Sequence, residues 1–141
     1  MGIQRLDHYS IRTPRLAETQ RFYEDVMEMT AGPRPSFPFP GAWMYQGEIA
    51  MVHIVGYDPD DAAGLKDYLG DKEVVSSGTG TIDHVAFAIT GLAPMLERLR
   101  GMGLAFRERR VPSLGLYQVF VEDPNGVTLE LNFPAAEAPA A

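Results

Sequence analysis

The sequence predicts an α+β fold built from two tandem βαβββ modules, and three observations carry that expectation. The dipeptide Asp7-His8 recurs as Asp83-His84, an offset of 76 residues; at that offset Leu16-Ala17 falls on Leu92-Ala93, Ile11 on Phe87 and Val26 on Met102. Each copy opens with a strand-like segment and continues into one with apolar residues at helical spacing. Each then runs on through extended segments punctuated by turn residues, with no second long helical period.

In the first half, residues 4–13 read as a strand with His8, Ser10 and Arg12 on one face and Tyr9 and Ile11 on the other. Thr13-Pro14 reads as a helix start, threonine as N-cap and proline in the first turn. Leu16, Phe22, Tyr23 and Val26 give that helix its apolar side. Residues 29–32 read as a short strand, and 43–46 with 48–55 as a hairpin around Gly47. Between them, residues 32–41 hold four prolines and cannot be a central strand. They form a stiff loop whose two aromatics, Phe37 and Phe39, wall a pocket or pack on a partner subunit.

Residues 57–80 are acidic, polar and glycine-rich, a linker with one short helix near 62–68. In the second half, residues 81–90 read as a strand. Leu92, Met95, Leu96 and Leu99 mark a helix that Gly101 and Gly103 help to stop. Strands follow at 104–111 and 116–122. Asp123-Pro124-Asn125-Gly126 is a strong turn signal, and 127–133 alternates and closes the domain. Module one is thus about 3–56, module two about 81–133, in one domain of residues 1–133, and the alanine- and proline-rich stretch 134–141 is a flexible tail.

Composition narrows the chemistry. The 141 residues suffice for one domain with a real core. With no cysteine there is no disulfide, thiolate metal site, iron–sulfur cluster or cysteine nucleophile. A net charge of −7 argues against nucleic acid as a partner. No apolar run is long enough for a membrane span or a secretory leader, so the expectation is a cytoplasmic protein acting on a small molecule. Apart from Lys66 and Lys72 every basic residue is an arginine, and Arg107, Arg109 and Arg110 cluster. Such a cluster suits either an acidic substrate or charge pairing on a strand surface.

All three histidines fall on the repeat. His53 lies 45 residues after His8, and Glu130 lies 46 after His84. The repeat therefore superposes His8 on His84 and, within one residue, His53 on Glu130. A lone strand histidine is usually a satisfied core residue, and Glu130 in Thr-Leu-Glu-Leu-Asn alone would read as facing water. Four ligand-type residues on one symmetry operation point instead to a metal. Imidazole nitrogen with carboxylate oxygen suits one divalent ion: Zn, Fe, Mn, Co or Ni. Strands project such side chains at fixed spacing. The expectation is that His8, His53, His84 and Glu130 converge on one ion, in one chain or across two subunits. Asp7 and Asp83 are expected to face the other way and to be structural.

The paired Asp-His strands, the 45 and 46 spacings, and Asp123-Pro124-Asn125-Gly126 followed by Thr128-Leu129-Glu130-Leu131 resemble the vicinal oxygen chelate superfamily. It includes glyoxalase I, methylmalonyl-CoA epimerase, fosfomycin- and bleomycin-resistance proteins and extradiol dioxygenases. The resemblance covers about Ile3 to Phe133. It implies two modules forming a cupped mixed sheet around a metal, and a homodimer. It matches His8, His84 and Glu130 to metal ligands, with His53 at a place where glyoxalase I has a glutamate and the epimerase an amide.

The implied chemistry is bidentate binding of a small oxygenated substrate to an open metal face, which stabilises an enediolate or related oxyanion, with a nearby base moving a proton on carbon. Glu130 and His53 are the candidate bases. A fourth ligand at His53 favours a lyase or isomerase over a ring-cleaving dioxygenase, which needs two histidines, one carboxylate and open positions. A drug-binding resistance protein without catalysis is a further alternative. Ser10, Arg12 and Tyr117 are candidate substrate contacts; Tyr117 and Gln118 alternate, so only one of them faces the cup. Trp43 and Tyr45 read as core or pocket wall.

Overall fold

The structure is a computed structural model that describes residues 2–58, 60, 63–65, 77–80 and 82–140. The chain divides into two compact units, Met1–Ser76 and Ser77–Ala141, and each holds one copy of the repeat. The first contains β1 (Tyr9–Thr13), α1 (Leu16–Asp25), β2 (Thr30–Gly32), β3 (Gly41–Gln46) and β4 (Ile49–Gly56). Its sheet runs β1-β4-β3-β2, with β1 parallel to β4 and the other pairs antiparallel. The second contains β5 (Val85–Ala88), α2 (Leu92–Gly101), β6 (Phe106–Val111), β7 (Leu116–Glu122) and β8 (Thr128–Pro134). Its sheet runs β5-β8-β7-β6, with β5 parallel to β8. Both units are therefore βαβββ modules. Leu92 and Gly101 bound α2 as Leu16 and Asp25 bound α1, the offset seen in the sequence.

The opening strands are shorter than the alternation implies. β1 begins at Tyr9, opposite Val52, and β5 at Val85, opposite Leu129. Both Asp-His pairs therefore lie just before their strands, where strand alternation sets no facing. Thr13 is not the cap of α1: the helix has Arg15 at its N-cap, and Thr13 Oγ1 accepts the Arg15 N–H at 2.9 Å, a local turn before the helix.

In the first unit, Thr19, Phe22, Tyr23 and Val26 fall on one side of α1 and are buried, as are Ile11, Met44, Val52 and Ile54 on one face of the sheet. α1 packs on β2, β3 and β4, and Tyr9 and Tyr23 join hydroxyls at 3.0 Å. Each fully buried side chain of this kind contributes roughly 1.5–3 kcal/mol relative to exposure. The proline-rich loop turns its aromatics inward. Phe39 is buried with Val55 and Leu65, with Phe37 and Tyr57 beside them, and the Arg34 guanidinium lies over both phenyl rings. Residues 63–65 are helical; the rest of the short helix expected at 62–68 lies outside the described residues.

In the second unit, Val119, Val121, Leu129, Leu131 and Phe133 form a buried face across β7 and β8. The turn between these strands is tied by Asp123. Its Oδ1 accepts the N–H groups of Asn125 and Val127 at 2.8 and 2.9 Å, and Gly126 takes φ +84, the left-handed conformation glycine tolerates best.

The stretch after β8, expected to be flexible, is hydrogen-bonded. Glu137 Oε1 accepts the N–H groups of Gly91 and Leu92 at 2.9 and 3.1 Å, at the start of α2, and Arg110 donates to the Pro139 carbonyl at 2.6 Å. A carboxylate there satisfies orphan donors and complements the helix dipole. Glu137→Ala is expected to lower stability by about 1 kcal/mol, read as a lower urea midpoint. An unchanged midpoint would mean that water serves the first turn of α2 equally well.

Candidate metal centre

In the first unit, Ser10, His53, Trp43 and Gly32 stand in one register row across β1, β4, β3 and β2. His8 lies two residues before Ser10. Its Nδ1 is 2.7 Å from Asp7 Oδ2. A carboxylate only accepts, so Nδ1 carries the hydrogen and Nε2 presents its lone pair. That bond is the main cause holding the Asp7 carboxyl below its usual range.

His53 is held in the opposite sense. Its Nε2 lies 3.2 Å from the Ala50 carbonyl, which also only accepts, so in the neutral ring Nε2 carries the hydrogen and Nδ1 the lone pair. The ring is sandwiched between Trp43, 3.9 Å away centroid to centroid, and His8, at 3.6 Å, each within 12° of parallel. Phe37 continues the aromatic wall at 6.4 Å from Trp43. Burial pushes the His53 pKa down, and the neighbouring His8 charge acts the same way. Ser10 is exposed beside His53, and Arg12 follows, half-buried, opposite Val55.

In the second unit the corresponding row is Ala86, Glu130, Phe120 and Arg107. Ser10 and Ala86 are each the second residue after their Asp-His pair, and their partners on β4 and β8 are His53 and Glu130. The one-residue difference between the 45 and 46 spacings is thus absorbed in the pairing. His84 Nδ1 is 2.8 Å from Asp83 Oδ2, which presents Nε2 as in His8. That Nε2 is 3.5 Å from Glu130 Oε1. The Asp83 hydrogen bond, helped by the Glu130 charge, raises the His84 pKa. Glu130 Oε2 accepts Asn132 Nδ2 at 3.0 Å, and Asn132 Oδ1 accepts Gln118 Nε2 at 2.9 Å.

Asp7 and Asp83 do not turn away from their histidines: each carboxylate returns to the adjacent Nδ1, because the pair precedes the strand. Tyr117 does not share the Glu130 face. It pairs with Phe133 on the buried face, and its hydroxyl donates to Glu108 at 2.8 Å, which raises its pKa. Gln118, paired with Asn132, is the residue on the Glu130 face. Asp7 and Asp83, read from the sequence as structural, and Gln118, weighed there against Tyr117, are site neighbours, and Asn132 is the one that sequence reasoning missed. The repeated Asp-His dipeptide was the available signal for the first two.

Among the described residues no group of three or more His, Asp or Glu side chains is gathered for an ion. His84 and Glu130 fit one. In its neutral form the imidazole turns a lone pair toward a carboxylate oxygen at 3.5 Å, an unfavourable facing that a proton or a cation relieves. The separation is also close to the bite of two ligands each about 2.1 Å from one ion. Their other atoms are held by Asp83 and Asn132, the outer hydrogen bonds that metal ligands ordinarily have. His8, an exposed residue with its Nδ1 on Asp7, fits as well. His53 as placed does not: parallel stacked rings do not aim their lone pairs at a common point.

The opposed shifts are measurable in the metal-free protein. By imidazole NMR, His84 is expected to titrate above, and His53 below, the ordinary value of about 6.5. The linkage signs differ. The His84 contribution to stability is complete below the unfolded pKa and is lost as pH rises through the raised folded pKa. The His53 contribution is present above the unfolded pKa and is lost as pH falls through the lowered folded pKa. Asp83→Asn is expected to bring His84 down; an unmoved His84 would mean that Asp83 does not govern it.

A family model described as Glyoxalase/Bleomycin resistance protein/Dioxygenase superfamily matches residues 5–131. The chain belongs to this superfamily. Solved structures of similar fold include a glyoxylase/bleomycin resistance protein/dioxygenase domain from Frankia sp. EAN1pec. It is 16% identical, with 97% of this chain and 96% of that one covered and a TM-score of 0.70. A glutamate-to-glutamine mutant of the fosfomycin resistance protein FosX from Listeria monocytogenes, complexed with Mn(II) and 1S,2S-dihydroxypropylphosphonic acid, is 16% identical over 94% of both chains, TM-score 0.68. TnmS3, an antibiotic binding protein from Streptomyces sp. CB03234, is 14% identical over 95% and 98%, TM-score 0.65. At these identities the likeness is one of fold. No curated protein matches the chain. Among the described residues no helix is long and apolar enough to cross a membrane. The structures of similar fold thus include one complexed with Mn(II) and one of an antibiotic binding protein.

Proposed function

We propose that this superfamily member is a divalent-metal-dependent enzyme of the lyase or isomerase type, acting on a small substrate with oxygens on neighbouring carbons. His8, His84 and Glu130 would hold the ion, and a homodimer would be the working form. The observation that supports this reading best is the repeated carboxylate–histidine pair, which presents Nε2 twice, once 3.5 Å from Glu130 Oε1. The bound ion would supply Lewis acidity toward the substrate oxygens. Asp7 and Asp83 fix the imidazole tautomers, and Asn132 occupies Glu130 Oε2 and leaves Oε1 for the ion. His53, anchored through Nε2–H to Ala50, offers Nδ1 as the proton acceptor, and Trp43 and Phe37 wall the substrate. Ser10, beside His53, is a substrate contact, with Arg12 next along the strand. That a FosX structure carries Mn(II) with a vicinal diol phosphonate supports the chemical class.

Two histidines and one carboxylate with open positions also suit an iron-dependent ring-cleaving dioxygenase, a second reading favoured by the placement of His53 away from a ligand position. The test is elemental analysis and anaerobic metal reconstitution, followed by glyoxal–thiol adducts, acyl-CoA thioesters and catechols as substrates. Metal-dependent turnover without oxygen uptake is the expected result. Stoichiometric oxygen uptake with a catechol selects the second reading. A metal-free protein that takes up no ion and turns over nothing, yet binds an aromatic antibiotic, overturns both.

A further inference from the structure

The amides beside Glu130 are ordered by its charge. A carboxylate only accepts, so Asn132 turns Nδ2 to Glu130 and its Oδ1 away; Oδ1 then takes Gln118 Nε2, and Gln118 is left with Oε1 at the far end of the chain. Gln118 is only 7% exposed, and Oε1 has no hydrogen-bond partner among the described residues. Turning the Gln118 amide over would set oxygen against oxygen at Asn132, and turning Asn132 as well would do so at Glu130. The fold therefore leaves a buried acceptor unpaired among the described residues, at a cost in stability, on the face that carries Glu130. Its row neighbours cannot serve in its place: Asn132 has both amide ends engaged, and Arg109, on the other side, has only donors.

We propose that Gln118 Oε1 accepts a hydrogen bond from a hydroxyl or N–H of the substrate. The site thereby selects oxygenated molecules that carry such a donor beyond the pair of oxygens offered to the ion. This specificity rests on the reading of Glu130 as the centre of the site. An open buried acceptor rejects an analogue lacking the donor more strongly than an apolar wall rejects a missing methylene, because the analogue leaves the acceptor unpaired.

The test is calorimetric titration with glycerate and with lactate, on protein loaded with Mn(II) and on metal-free protein. Both acids offer a hydroxyl and a carboxylate on neighbouring carbons, and only glycerate adds a second hydroxyl. Wild type is expected to bind glycerate about 10-fold tighter, about 1.4 kcal/mol. Gln118→Met is expected to erase that preference with its melting temperature unchanged or raised, since the open acceptor leaves with the amide. A glutamine with only a structural role would lose stability and keep the preference. Should the variant not fold, the side-chain amide resonance of Gln118 in wild type reads the same contact, and glycerate but not lactate is expected to move it. Equal binding of the two acids, binding of neither, or a preference that survives in Gln118→Met overturns the proposal. The Mn(II) titration is read separately. A glycerate preference without Mn(II) binding sinks the metal reading and leaves Gln118 standing, whereas Mn(II) binding with equal affinity for the acids sinks the Gln118 assignment alone.

Discussion

His84→Ala is expected to lower Mn(II) affinity by about 100-fold or more, measured from free Mn(II) by electron paramagnetic resonance. Asp83 orients the imidazole. Its hydrogen bond to Nδ1 leaves the Nε2 lone pair toward Glu130 Oε1 before any ion arrives, so little ordering remains for the ion to impose. On the proposed site, removing the imidazole would leave Glu130 without its companion ligand and should exceed the 10- to 100-fold loss that is typical of outer-sphere changes, about what Asp83→Ala should cost. The His84 side chain is 39% exposed, so the variant should fold with near wild-type stability, and loss of the ion would not be confused with loss of the fold. Because His84 holds its proton to higher pH than an ordinary histidine, affinity in wild type should already weaken as pH falls toward neutrality, and this pH dependence should shrink in the alanine variant. Unchanged Mn(II) affinity in His84→Ala would remove His84 from the site, and the repeat would then be a record of duplication without chemical meaning.

Much of the fold was legible because duplication writes the same pattern twice. The 76-residue offset of Asp-His predicted both modules, and the bounds of α1 and α2 keep it. The slip between the 45 and 46 spacings was also legible, and the pairing of Ser10 with His53 and of Ala86 with Glu130 accounts for it. What could not be read depends on partners distant in sequence. Strand alternation was carried back through Asp7 and Asp83, but a strand's facing is set only where it is paired, and β4 and β8 pair with β1 and β5 only from Tyr9 and Val85 onward. Tyr117 and Gln118 differ by one residue, and a one-residue choice exchanges the faces of a strand; only the pairing with Phe133 and Asn132 decides it. The stretch after β8 looked unstructured because its composition carries no apolar period, yet Glu137 reaches the start of α2 from 45 positions away in the chain. His53 pairs with Ser10, but its tautomer depends on a carbonyl three residues back and its stacking on Trp43, neither of which a spacing encodes.

His53→Ala separates the two mechanisms that the site residues allow. The ring is anchored by Nε2–H on the Ala50 carbonyl and packed between Trp43 and His8. Burial keeps its pKa below the ordinary histidine value, so at neutral pH it is uncharged and Nδ1 is free to take a proton. As a general base it should contribute about 10²–10⁴-fold to turnover, and activity should fall along an acid limb below about pH 6.5 as Nδ1 protonates. The expected outcome is therefore a large loss of turnover in His53→Ala with Mn(II) affinity near wild type and the acid limb displaced. If the variant instead loses Mn(II) as His84→Ala is expected to, His53 leaves Ala50 to become a fourth ligand, and the crowded ion favours proton transfer over oxygen chemistry. If it keeps both its ion and full turnover, and wild type consumes oxygen with a catechol, His53 is a wall residue. The three-ligand iron site then becomes the working centre.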